Sequence, residues 1–217
     1  MKTPNITQER LRDVIFKTPP AFHYWKDKPQ TGGFSPPFFN FIEGVLRTEL
    51  DHNQIENRRC LEIGAGLSTL FFLSMDYQVT SFSLPDVIDR IQLFLEADDF
   101  AVYESLWSPH AGRSEFLLGK HAVDNPDTYA CCLIDGSHSV HSVFTDFTYC
   151  HEALGVGGVL FVDDTHFPGP SLLAQLLDQL DSYVDCGRHQ KLRAFKKVNK
   201  RKSFDNMLGF VFSYPEA

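Results

Sequence analysis

One stretch constrains the fold of this chain more than any other: Cys60-Leu61-Glu62-Ile63-Gly64-Ala65-Gly66-Leu67-Ser68-Thr69. A short apolar run meets an acidic residue, then two glycines, then small polar and apolar residues suited to open a helix. That order describes a strand ending in a tight turn that feeds a helix. Glycine at such a turn lets the backbone take positive φ and lets a ligand come close to the chain. Loops of this kind hold nucleotide-like groups at the carboxyl edge of a parallel sheet. They also occur as plain turns, so the stretch alone fixes the backbone and leaves the ligand open. A dinucleotide fingerprint needs a third glycine where Thr69 stands, and no Gly-Lys-Ser/Thr follows to make a P-loop.

From about residue 58 onward strand-like and helix-like patterns alternate, which predicts a parallel sheet with helices on both faces. The expected strands are Arg59–Ile63, Gln78–Ser83, Phe100–Leu106, Tyr129–Ile134 and Gly158–Val162, with a C-terminal pair at Lys191–Val198 and Met207–Tyr214. Helices are expected over Ser68–Ser74, Val87–Ala97, Val140–Leu154 and Leu172–Leu180. Val140, Val143, Phe144 and Phe147 form one core-facing stripe, and Leu172, Leu173, Leu176, Leu177 and Leu180 another. Residues 1–57 contain helix-like pieces at Gln8–Phe16 and Phe39–Leu50 around a Pro/Gly/aromatic segment. This extension is too short for its own core and is expected to cover the sheet edge or the mouth of the site, leaving 58–217 as the main domain.

The chain's 217 residues suit one α/β core, and a net charge of −8 argues against a general nucleic-acid binder. Between Arg188 and Lys202 eight Lys or Arg residues occur without an acid, read as a solvated hairpin or as a rim for an anionic group. No apolar run reaches the length of a membrane span, and the polar start of the chain lacks a signal peptide's apolar segment, so a cytoplasmic location without membrane contact is expected. Cys60, Cys131 and Cys132 sit in apolar runs and read as buried thiols.

The chemistry lies downstream. Strand Tyr129–Ile134 ends in Asp135-Gly136-Ser137-His138, and strand Gly158–Val162 ends in Asp163-Asp164-Thr165-His166. Ligands of a doubly wound sheet bind outside the carboxyl ends of its strands. If the two strands are neighbours, three carboxylates and two imidazoles meet beside the glycine turn. Carboxylates gathered in one cleft repel one another unless a cation or proton sits between them, and a hard-oxygen donor set suits magnesium, manganese or calcium.

The glycine turn resembles motif I of the class I S-adenosylmethionine-dependent methyltransferases, where an acidic residue precedes Gly-x-Gly. The aspartates resemble those of metal-dependent O-methyltransferases, both the catechol type and the bacterial natural-product and sugar type. Those families carry an Asp after the fourth strand and an Asp-Asp or Asp-Asn pair after the fifth. Asp135, Asp163 and Asp164 occupy these positions, and His138 takes the place of the catalytic base three residues after the first Asp. The resemblance runs from roughly Gly32 to Gly169, from Thr31-Gly32-Gly33-Phe34-Ser35, similar to the loop that folds over the cofactor, to Pro168-Gly169.

The resemblance implies a Rossmann-like class I methyltransferase fold: a seven-stranded, mostly parallel sheet with an antiparallel C-terminal strand. It implies S-adenosylmethionine held by Glu62, Gly64, Ala65, Gly66, Ser68, Thr69, Ser83, Asp86, Trp107 and Asp135. It also implies a divalent metal, Mg or Mn, on Asp135, Asp163 and Asp164, with His138 as base for O-methylation of a small molecule. Relatives usually end the second strand with a ribose-binding acid, whereas this chain has Ser83, with Asp86 three residues on. A metal-independent transferase of the same fold and a non-catalytic binding protein are the alternatives. A homo-oligomer is left open.

Overall fold

Successive side chains of a strand point to opposite faces, and here both faces are apolar. Cys60, Cys131, Leu133, Val159 and Phe161 join one core cluster, while Leu61, Ile63, Cys132, Ile134, Leu160 and Val162 join the other. The chain's structure, a computed structural model, describes residues 6–30, 33–50, 56–96 and 98–199. Helix α1 (Ile6–Lys17) leads through a hairpin, β1 (His23–Trp25) and β2 (Lys28–Gln30), into α2 (Pro36–Glu49). Strands and helices then alternate as β3 (Arg59–Ile63), α3 (Leu67–Ser74), β4 (Gln78–Ser83), α4 (Pro85–Glu96) and β5 (Trp107–Ala111). They continue as α5 (Ser114–Asp124), β6 (Tyr129–Ile134), α6 (Val140–Ala153), β7 (Leu154–Val162) and α7 (Pro168–Leu177), before β8 (Tyr183–His189) and β9 (Leu192–Lys197).

The main sheet has the order β5-β4-β3-β6-β7-β9-β8, parallel from β5 to β7, with β9 antiparallel to both β7 and β8. This is the seven-stranded, mostly parallel architecture expected from the sequence. The chain reverses its direction of travel across the sheet between β3 and β6, so their adjacent carboxyl ends form the switch point where such sheets bind ligands. Helices α1 to α4 supply Leu11, Ile15, Phe38, Ile42, Leu70 and Ile91 to one core cluster. Helices α5 to α7 supply Leu118, Phe147 and Leu173 to the other. The N-terminal helices therefore share the core of β3 and β6.

One assignment is corrected. Phe100–Leu106, expected as a strand, lies within a 3-10 helix over Asp98–Leu106, and the edge strand is Trp107–Ala111. Phe100 and Tyr103 are buried, with Leu106 packed against the same cluster, and a spacing of three stacks side chains on one side of a three-residue turn. Pro109, which has no N–H to donate, is accommodated because β5 is an edge. The hairpin strands are Tyr183–His189 and Leu192–Lys197, and the expected Met207–Tyr214 falls outside the described residues. Helix α5 had no counterpart in the sequence reading.

In both helical stripes the inner positions are buried, but Val140 and Leu172 stay exposed. Cys60, Cys131, Cys132 and Cys150 are buried, unpaired thiols, as expected for the first three. No helix among the described residues is long and apolar enough to cross a membrane.

Candidate active site

The strand register carries the functional residues to one edge. Ile63 pairs with Ile134, and Ile134 with Val162, so Gly64, Asp135 and Asp163 follow side by side. Backbone bonds prolong the ladder past the strands: Gly64 N–H donates to Phe82 O at 2.9 Å, Asp135 N–H to Ile63 O at 2.8 Å and Asp163 N–H to Ile134 O at 3.0 Å. Gly64 has φ of +92°, and a Cβ there would stand 2.0 Å from the Asp135 carbonyl oxygen. Only glycine satisfies both constraints.

The acidic residue before the turn faces inward. Glu62 is buried and accepts hydrogen bonds from Thr69 Oγ1 at 2.6 Å and Ser81 Oγ at 2.8 Å, with a third from Ser68 Oγ. Thr69 Oγ1 also accepts the Gly66 N–H at 3.0 Å, so the carboxylate braces the turn through the start of α3. Trp107 is buried and donates its indole N–H to Ser81 Oγ at 3.0 Å. Four residues expected at the cofactor, Glu62, Ser68, Thr69 and Trp107, thus form a buried scaffold beneath the loop. Gly64, Ala65 and Gly66 form the turn itself, Ser83 ends β4 half-buried, and Asp135 follows β6. Asp86 is exposed and pairs with Arg90, which also donates to Phe22 O and lies 4.9 Å from the Tyr24 ring. That chain of contacts ties α4 to the β1–β2 hairpin, whose His23 ring meets Ala65 O at 3.1 Å.

Burial raises two carboxyl groups of this scaffold. Glu62 is pushed up to about 7 against the pull of its three hydroxyl donors. Asp146, buried on α6 beneath Gly136, is pushed up to about 7 by burial, opposed by Ser114 and reinforced by Glu115. The unfolded chain loses these protons near the ordinary value, 3.8 for Asp146, so between that pH and about 7 the folded protein binds more protons. The contribution of these two groups to stability therefore falls as pH rises through this window, against an opposite contribution from His23, His110 and His121, which burial lowers. In thermal melts from pH 5 to pH 8, Asp146→Asn is expected to gain on the wild type as pH rises, by up to about 4 kcal/mol at pH 8. A variant that melts with the wild-type slope would contradict this account.

The three aspartates converge: one carboxylate oxygen from each of Asp135, Asp163 and Asp164 lies within 4.8 Å of the others. Burial and the adjacent Asp163 hold the Asp135 carboxyl well above its usual range, with Lys191 opposing. Burial raises Asp163 in the same way. Asp164 takes a left-handed backbone, φ +54°, which Asp tolerates better than most residues and which marks strain at this corner. His138 Nε2 lies 2.8 Å from Asp164 Oδ2, and its ring stacks on Phe167 with centroids 4.3 Å apart and planes 11° from parallel. His166 Nδ1 is 3.7 Å from Asp164 Oδ1. Gly169 packs on this loop so closely that a Cβ would stand 2.4 Å from His138 O, which accounts for the small residue after Pro168.

Sequence reasoning missed Lys191. Its ammonium lies 2.8 Å from Asp164 Oδ1 and 3.1 Å from Asp163 Oδ2. Burial works against its charge, but Asp164 and Asp163 outweigh that and hold its proton above the ordinary lysine value. The signal was present in the basic stretch, whose described members are mostly engaged. Arg193 pairs with Asp178 and Asp185, and the buried Lys197 donates to His151 O and Leu154 O. Phe167 was also missed, because its role depends on stacking across a loop.

Comparison with known proteins bears on the fold and on the segment that carries these residues. The family described as a methyltransferase domain matches residues 61–165, from β3 through the Asp163–Asp164 pair. No curated protein matches the sequence. Among solved structures, a candidate caffeoyl-CoA O-methyltransferase from Staphylococcus aureus is similar at TM-score 0.62 and 15% identity, over 90% of this chain and 93% of that one. The O-methyltransferase TomG from Streptomyces achromogenes, solved with S-adenosylmethionine, is similar at TM-score 0.61 and 14% identity, over 91% and 92%. The methyltransferase MycE of mycinamycin biosynthesis, solved with Mg and S-adenosylhomocysteine, is similar at TM-score 0.51 and 17% identity, over 81% of this chain and 53% of that one. With its glycine turn and strand order, the chain has the fold of the class I S-adenosylmethionine-dependent methyltransferases, and its residues 61–165 match the methyltransferase-domain family.

Proposed function

We propose that this protein methylates an oxygen of a small molecule, with a divalent metal on Asp135, Asp163 and Asp164 and His138 as general base. The observation that carries the reading is the convergence of these three carboxylates with His138 at the switch point of the sheet. Their chemistry fits a hard cation. Asp163 is fully buried and the Lys191 ammonium lies 3.1 Å from its Oδ2, but that one charge faces three gathered carboxylates, and buried carboxylates short of positive charge are costly. The cofactor fits the glycine turn, where Gly64 and Gly66 carry no side chain and leave the backbone open to close approach.

When bound, S-adenosylmethionine supplies the methyl group, and the metal lowers the pKa of the acceptor hydroxyl. The chain does the rest. Asp164 accepts the Nε2–H of His138, which leaves Nδ1 with the lone pair that takes the acceptor's proton. Phe167 fixes the plane of the imidazole. The turn and the aspartates hold the two reactants in fixed relation, which contributes much of the rate in a transfer of this kind. The N-terminal extension, 1–57, serves as the cover, with His23 of the hairpin seated on the turn.

A second reading, a metal-independent transferase, is favoured by Lys191, whose ammonium already neutralises part of the acid cluster. Methyl transfer from labelled S-adenosylmethionine to a panel of catechols and other hydroxylated small molecules separates the two. The expected result is turnover that a chelator abolishes and Mg or Mn restores. Turnover indifferent to the chelator would retire the metal and leave the second reading.

A further inference from the structure

The cation nearest the acid cluster belongs to the protein itself. Lys191 stands in the turn between β8 and β9, and the pairing of Val162 with Arg193 sets it opposite the end of β7. Its backbone is pinned there: Lys191 O accepts both the Thr165 N–H at 2.9 Å and the Thr165 hydroxyl at 2.7 Å. The side chain is a flexible four-carbon stem ending in a point charge. The ammonium touches two of the three carboxylates expected to hold the metal, so ammonium and metal ion compete for the same oxygens. An alternative seat is at hand, because the Phe34 ring lies 5.9 Å from Lys191 Nζ and presents a face to a cation.

We propose that Lys191 is a built-in competitor for the divalent ion, holding Asp163 and Asp164 until a metal displaces its ammonium toward Phe34. The proposal rests on the metal-assisted reading above and goes beyond it. It makes metal affinity a property set by one lysine outside the ligand set, and it makes Lys191 a positioning residue that keeps the empty cluster from flying apart.

The test is Mn(II) binding to the full-length protein, followed by electron paramagnetic resonance and calorimetry, in wild type and Lys191→Met. Removing the competing charge is expected to tighten Mn(II) by about tenfold or more. Retained S-adenosylhomocysteine binding and a cooperative melt establish that the variant is folded. Should it not fold, the wild type decides the matter. Acetylation of Lys191 by acetic anhydride, read by peptide mass spectrometry, is expected to rise severalfold when Mn(II) is added. Unchanged or weaker Mn(II) binding in the variant, or labelling that does not rise, overturns the proposal. If the wild type still binds Mn(II), the metal-assisted reading survives that failure. If neither protein binds Mn(II) at millimolar concentration, both fall.

Discussion

A Gly64→Ala protein is expected to lose high-affinity binding of S-adenosylhomocysteine and to melt well below the wild type. The added methyl would stand 2.0 Å from the Asp135 carbonyl oxygen and 2.7 Å from its carbon, both backbone atoms of the neighbouring strand end. Neither can yield without moving Asp135, whose N–H closes the ladder on Ile63 O. Alanine must also hold a φ of +92°, a conformation costing it about 1–3 kcal/mol. Overpacking adds about 1–3 kcal/mol. If the loop escapes by rearranging, about 3 kcal/mol of that strain appears as roughly a hundredfold loss of affinity. Isothermal titration and a thermal melt check both parts, and near-wild-type values in each would mean the turn does not contact Asp135 as described.

His138→Ala is expected to separate chemistry from binding. Loss of a positioned general base typically costs about 10²–10⁴-fold in rate. The imidazole touches Asp164 and Phe167, and neither belongs to the glycine turn. S-adenosylhomocysteine affinity should therefore stay at the wild-type value while kcat collapses. A variant that keeps its turnover removes His138 from the base role, and one that loses cofactor binding as well assigns it to the framework of the site.

The parallel strands and their acidic ends were legible because a strand buried on both faces writes itself as an uninterrupted apolar run, and the polar residue after it stands out. Tyr129–Ile134 followed by Asp135, and Val162 followed by Asp163, are of this kind. The edge strands were not legible in the same way. Trp107–Ala111 contains a proline and is mostly exposed, and Tyr183–His189 is exposed along much of its length and broken by a register shift between Asp185 and Arg188. With one side in water, neither needs an apolar signature. The direction of Glu62 was hidden for another reason. A carboxylate before a glycine turn reads the same whether it faces a ligand or the core, and its burial and its bonds from Ser68, Thr69 and the distant Ser81 show that it faces the core. Lys191 lay beyond sequence reasoning because its distance from Asp164 along the chain, 27 residues, is closed only by the pairing of β9 with β7.

That pairing also bears on how the molecule is made. Strand β9 comes last among the described strands, yet it lies inside the sheet, between β7 and β8. During synthesis β7 remains an open edge until β9 has left the ribosome, and an unpaired edge is where strands of other chains add on. The glycine turn and all three aspartates are complete by residue 164, whereas the lysine that answers their charge arrives with the β8–β9 hairpin. In the nascent chain the three aspartates therefore emerge before their internal counter-ion, and until β9 pairs with β7 their charge is answered by protons or cations from solution.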